Sequence, residues 1–384
     1  MHLKQNYFRL VFIKIIIVGF LFSTSCSRTD EKAHHALNEI IKQTKEQYCP
    51  DRRLAVFDIE AALLHGTVQL RGEVDNPAAK QTLVDLIHST LPKYKILDNI
   101  SILPDSSVGE KGWALINVSV ANLRAKPEYS AELVNQIMLG TFAEILKKSN
   151  GWYYVRVMDG YLGWMNGSFF TRFTGEEKHV WENEKRIVYK ALYGKVYENP
   201  EESSLILSDL VGGNILNVEQ DGYNWTKVKI APDIHGFVRT LNTVTLDQWQ
   251  QRKSLMAPGI IKTALEFKGL PYLWGGNSPK GVDCSGFTQS VFKWNGIQLL
   301  RDASQQYRQG QVIDPGVYFE NVQPGDLLFF GSRKDKITHV GLYLGDKNYI
   351  HSSGSVKINS FDSTATNFSR YRFNQFQGVR RILQ

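Results

Sequence analysis

Cysteine is scarce in this chain: three among 384 residues, at positions 26, 49 and 284, too few for a disulfide framework. Long apolar runs are scarcer still. The one that stands out, Ile15 to Phe22, is too short to cross a bilayer. Neither sign of charge dominates, since Lys and Arg number 45 against 38 Asp and Glu, a formal +7. No dense basic run interleaved with aromatics occurs, so nucleic acid is not an expected partner. No CxxC or HxxxH pair stands near Cys284, which argues against a closed zinc site built from it and the histidines that follow. No metal or organic cofactor is expected.

The first 25 residues set Lys4, Arg9 and Lys14 ahead of the short apolar stretch, the layout of an export signal. Its end, Ser23-Thr24-Ser25-Cys26, resembles the lipobox of bacterial lipoproteins, which implies lipid on Cys26 and a membrane as partner. Ser23 stands where that motif usually has a branched aliphatic residue, so ordinary cleavage nearby stays open. Removing the segment takes away three positive charges and no acid, leaving +4, which suits an anionic wall or membrane surface. With Cys26 lipidated, Cys49 and Cys284 remain, and an exported protein with an unpaired thiol either buries it or uses it.

Length and a 42% hydrophobic content predict several domains in a multidomain α+β chain. Residues 30–105 read as helix, strand, strand, helix, strand, with a turn at His65-Gly66 and Asn76 as an N-cap, and this order resembles the small BON-type fold. An ungapped repeat follows at an offset of 73: Pro127 and Pro200, Gly140 and Gly213, Trp152 and Trp225, Val155 and Val228, Gly163 and Gly236. Two copies of one β module, over residues 112–175 and 185–246, are the simplest account. The first resembles bacterial SH3 domains, and the second resembles them through the first. Glu132 falls opposite Leu205, and Tyr161 opposite Ile234. Polar groups present in one copy are candidates for work outside the barrel, against the plainer reading of two solvated surface positions.

Residues 255–384 read as helices followed by antiparallel strands, an α+β domain of papain-like layout. Within GGNSPKGVDCSGF, Cys284 opens a helix, where free backbone N–H groups favour an anion and can hold a thiolate at neutral pH. His339 in THVGLYLG and His351 in YIHSS fall on one face of a hairpin if Leu344 lies opposite Asn348; a one-residue slip would part them. In that register His339 would serve the sulfur as base and His351 would fix its tautomer. A buried structural cysteine beside two locally bonded histidines is the plainer alternative.

The stretch YLWGGNSPKGVDCSGFTQSVF, with PGDLLFF, ITHVGLYLG and YIHSSG, resembles the NlpC/P60 family of cell-wall cysteine peptidases. With the SH3-like pair in front, it is similar to the subgroup that cuts between γ-D-Glu and a diamino acid in peptidoglycan stem peptides with a free N-terminal L-Ala. The resemblance implies Cys284 as nucleophile, His339 as base and His351 as the orienting third residue. It further implies Glu132, Tyr161 and Asp283 at the substrate amine, with Ser285, Ser304, Tyr272 and Trp274 in neighbouring subsites. An exported, lipid-anchored monomer acting on peptidoglycan-derived peptides is expected. Two other readings remain: a cross-link endopeptidase acting on intact peptidoglycan, and a wall-binding adaptor whose last domain is a relic.

Overall fold

The computed structural model describes residues 28–251 and 256–383; the first 25 residues, where an export signal is expected, and Cys26 lie outside them. The first module lays the helices Arg28–Tyr48 and Pro77–Thr90 on a three-stranded sheet. His65 and Gly66, with φ of 47° and 75°, make the two-residue turn that joins Phe57–Leu64 to Thr67–Val74. Asn76 Oδ1 accepts from Ala78 N at 2.9 Å and starts the second helix. The third strand, Lys95–Ile102, returns parallel to the second. Leu37, Val68, Leu70, Leu83 and Ile87 form the core between helices and sheet. Cys49 belongs to that core, its Sγ bonded to the Ala55 carbonyl at 3.2 Å.

The two repeat copies have the same strand order. From one edge, the first runs Leu133–Met138, Val120–Arg124, Leu162–Asn166, Trp152–Arg156, Phe142–Ser149, Trp113–Ile116 and Phe170–Phe173. The second runs Ile206–Val211, Tyr193–Tyr197, Ile234–Arg239, Trp225–Ala231, Ile215–Gln220, Arg186–Tyr189 and Thr243–Thr245. All but the Ile234 strand begin 73 residues after their counterparts, so the sequence period is a structural period. The barrels are locked together: the Leu139 carbonyl accepts from Ile215 N at 3.0 Å, and the Leu139 side chain lies in the core of the second copy. Gly140 has φ 78°, and a Cβ there would overlap the Ile215 carbonyl.

The last module carries the helices Ala257–Glu266, Cys284–Trp294 and Ala303–Gln306 before a six-stranded antiparallel sheet. The sheet order is Gln311–Ile313, Phe376–Arg381, Leu327–Arg333, Lys336–Gly345, Asn348–Ser353, Ser355–Ser360. Val340, Leu342 and Ile350 pack with Phe287, Val291 and Phe292 of the central helix. Phe330, Tyr343, Tyr349 and Phe361 build a second core. The whole is the mixed α+β, multidomain architecture expected. A cavity of about 410 Å³ lies where both barrels meet the central helix, lined by Met138, Phe142, Trp249, Trp294 and Ile297 among others. Cys284 does not line it.

Candidate active site

Cys284 is the first residue of the helix Cys284–Trp294, and Asp283 is its N-cap. The Asp283 carboxylate is saturated. Oδ1 accepts from Gly286 N at 2.7 Å, Ser285 Oγ at 3.2 Å and Arg301 Nη1 at 3.1 Å; Oδ2 accepts from Gly275 N at 3.0 Å and Arg301 Nη2 at 2.6 Å. Five donors fill what an ionised carboxylate can accept. Asp283 is therefore not an open partner for a substrate ammonium, as expected of it, but the frame that fixes the helix start. Its counter-ion Arg301 is itself 1% exposed, among the largest fully buried side chains. Arg301 Nε also binds Asn135 Oδ1 of the first barrel at 3.0 Å, and Nη1 binds Ser285 Oγ at 3.2 Å.

Cys284 is 7% exposed, and its sulfur lies against the backbone on either side of His339: it meets the Thr338 carbonyl at 4.0 Å and feels the Val340 N–H. Burial, and next the Asp283 charge, push its thiol up to about 12, against the pull of the Val340 N–H, Arg301 and the Ser285 N–H. The expectation of a preformed thiolate is thus corrected. Desolvation outweighs the helix start, and the resting sulfur keeps its proton.

The strand register sets Leu342 opposite Ile350, with the irregularity confined to the turn, where Gly345 meets Asn348. Both histidines then share a face. His339 Nε2 and His351 Nδ1 stand 2.7 Å apart, and His351 Nε2 meets Asn359 Oδ1 at 2.8 Å. The protons in this chain are fixed from its far end. Asn359 Nδ2 donates to the Asn367 carbonyl at 2.6 Å, so its Oδ1 faces His351 and must accept. His351 therefore carries its proton on Nε2 and accepts at Nδ1 from His339 Nε2–H, which leaves His339 Nδ1 bare, the form a general base needs. Burial above all lowers His351 to about 4; burial, then the charges of His351 and Arg372, hold His339 well below the ordinary histidine value. Both rings are neutral at neutral pH.

Tyr161 and Glu132, the two residues odd within the repeat, both reach the last module. Tyr161 packs in the first barrel's core and donates from Oη to Asp302 Oδ2 at 3.2 Å. Exposed Glu132 accepts from Trp274 Nε1 at 2.7 Å. Trp274 is 62% exposed, a free aromatic wall, and the Tyr272 hydroxyl, raised to about 12 by burial and the neighbouring Cys284 and Asp283, stays protonated beside it. Ser304 Oγ accepts from Arg53 Nη1 of the first module at 3.1 Å. Cys26 lies outside the described residues. Sequence reasoning missed Arg301, Asp302 and Asn359. The Arg301-Asp302 pair sits inside the loop that supplied Ser304, and an acid and a base side by side in an apolar setting were the available signal; Asn359 carried none.

A sequence model of the NlpC/P60 family matches residues 269–377, and one of the bacterial SH3 domain matches residues 119–171. The chain is 32% identical over 265 residues to dipeptidyl-peptidase 6 of Lysinibacillus sphaericus, covering 65% of this chain and 92% of that protein. It belongs to the NlpC/P60 family. It is also 30% identical to a gamma-D-glutamyl-L-lysine dipeptidyl-peptidase of Bacillus cereus, over 66% of this chain and 76% of the relative. A solved NlpC/P60 family protein from Bacillus cereus superposes with a TM-score of 0.61 at 25% identity, over 71% of this chain and all of that one. An NlpC/P60 endopeptidase from Photobacterium damselae shares the fold, with a TM-score of 0.53 at 14% identity over 85% of this chain and 86% of its own. This member of the family is a cysteine-type peptidoglycan peptidase, a hydrolase of the cell envelope or its surroundings. Among the described residues no helix is long and apolar enough to cross a membrane.

Proposed function

We propose that the protein hydrolyses the bond between γ-D-Glu and the diamino acid of stem peptides that carry a free N-terminal L-Ala, releasing L-Ala-γ-D-Glu, as part of murein peptide turnover. The observation that carries the chemistry is the fixed proton chain from Asn367 through Asn359 and His351 to a bare His339 Nδ1, with Cys284 at a helix start beside the same strand. Relatives named for γ-D-glutamyl-L-lysine cleavage support the choice of bond.

The Cys284 sulfur attacks the γ-carbonyl carbon while its proton passes to His339 Nδ1. The unpaired N–H groups at the helix start receive the oxyanion. His339 then gives the proton to the leaving amine, the C–N bond breaks, and a thioester remains. Water attacks the thioester, its proton going to His339; the C–S bond breaks and the sulfur recovers that proton. His351 orients the ring throughout. Tyr161, Glu132, Asp302 and Ser304, which all take part in contacts between modules, form in this reading the seat for the L-Ala ammonium. Tyr272 and Trp274 flank the peptide, and Asp283 and Ser285 hold the frame. A lipid anchor at Cys26 would keep this activity at a membrane surface.

Cys284→Ala should abolish release of L-Ala-γ-D-Glu from L-Ala-γ-D-Glu-L-Lys and from its diaminopimelate counterpart, read by mass spectrometry; undiminished turnover rejects the peptidase chemistry. Acetylating the N-terminal amine should lower kcat/KM by about a hundredfold or more, because a neutral, bulkier amide replaces the ammonium that the carboxylates of the seat attract. Equal cleavage of the acetylated peptide or of intact polymer would instead favour a cross-link endopeptidase.

A further inference from the structure

The function above uses nothing from residues 30–105, yet the loop after the first helix reaches the peptidase module. Arg53 Nη1 donates to Asp302 Oδ2 at 2.7 Å and to Ser304 Oγ at 3.1 Å, two groups some 250 positions further along the chain. The Tyr161 hydroxyl meets the same Asp302 oxygen at 3.2 Å. Three modules thus converge on one carboxylate, and Asp302 immediately follows Arg301, the partner of the Asp283 that precedes the nucleophile.

Arg53 does not arrive as a bare cation. Asp51 clasps it from the other side, accepting from Nε at 2.7 Å and Nη2 at 2.6 Å, and Asp51 is held in turn by Gln305 Nε2 at 2.8 Å. The loop is pinned on the first barrel as well: the Arg53 carbonyl accepts from Leu162 N at 2.8 Å, and Leu54 packs against that barrel's core. All three charged side chains are partly shielded, with 30%, 15% and 27% exposure for Arg53, Asp51 and Asp302. Asp51, Arg53 and Asp302 together sum to one negative charge. Without Asp51 the cluster would be neutral, and without Arg53 it would carry two negative charges.

We propose that the N-terminal module is a working part of the peptide site, in which the Asp51–Arg53 pair sets the charge of the wall formed by Asp302, Tyr161 and Ser304 and so tunes how tightly the cleft holds a cationic peptide end. Arg53 and Asp51 are specificity-determining residues for a substrate ammonium. The inference rests on the free-amine reading above.

The charge account orders three proteins. With L-Ala-γ-D-Glu-L-Lys as substrate, Asp51→Asn should raise KM roughly fivefold and Arg53→Gln should lower it by a similar factor, kcat moving less in both, as one unit charge in a half-screened site requires. The spread should shrink on raising salt from about 0.05 to 0.5 M. A purely structural loop would be damaged by either change and shift KM the same way, so matching directions, or no shift in either variant, would overturn the proposal. Far-UV circular dichroism and thermal melting establish that each variant is folded, and Arg53→Lys, which keeps the charge, should stay near wild type. Failure of the free-amine reading is visible separately: wild type would then cleave acetylated and free peptides alike before any variant is made.

Discussion

Cys284 holds its proton at rest while the imidazole meant to remove it is neutral, and the two facts have one cause: both groups are buried. Moving the proton from sulfur to His339 creates two charges that stabilise each other, whereas ionising either alone in this site is costly. Alkylation of Cys284 by iodoacetamide, followed by peptide mass spectrometry, should therefore be slow at pH 6 and climb through neutral and alkaline pH without a plateau near 6. A plateau by pH 6 would mean that the helix start prevails after all. The three catalytic candidates were legible because each carries distinctive chemistry within a local pattern: a glycine-framed cysteine and histidines on alternating strands. Asn359 was not, since its importance lies in donating to Asn367 and accepting from His351, a pairing set by the fold. Nor was the role of Asp283 in framing the helix start legible, because its counter-ion Arg301 lies 18 positions away, with no periodicity to join them.

Among elements, the helix Cys284–Trp294 shows how tightly local sequence is tied to neighbouring backbone. A Cβ at Gly286 would overlap the Gly276 carbonyl oxygen and crowd Asn277 Cβ at 3.0 Å. Gly286→Ala should thus destabilise the protein by about 1–3 kcal/mol, seen as a lowered Tm, and lower kcat by tilting the helix start; an unchanged Tm would mean that the hairpin Asn277–Val282 yields freely. The repeat was legible at this scale since its period is a backbone property, kept in strand starts 73 residues apart. The short helix Gly175–Asn183 between the copies, with its capping box of Thr174 and Glu177, is not legible in the pattern, because nine residues hold too few apolar positions to reveal a period.

For the whole molecule, two buried neutral histidines make acid a threat. The folded-state pKa of His351, about 4, lies below the ordinary 6.5, so its contribution to stability is intact above pH 6.5 and is lost as pH falls toward 4, where the unfolded chain binds the proton first. The full loss from this residue is roughly 3 kcal/mol. Denaturant unfolding should show His351→Gln losing less stability than wild type between pH 7 and 4.5; equal losses would show that the ring is protonated without penalty. The contact of Arg53 with Asp302 was beyond sequence reading, because the two residues lie 249 positions apart and meet only after their modules have folded.

The central helix is where those cores join. Its first turn holds the sulfur, Gln289 Nε2 midway along donates to Asp159 of the first barrel at 3.0 Å, and the ring of its last residue, Trp294, lies on Gly212 of the second. Cutting the chain before Ala257 to isolate the peptidase segment would strip partners from two points on the very rod that aims the sulfur. Anyone preparing the enzyme for crystals or assays should keep both barrels attached, and treat a trimmed version as a different object.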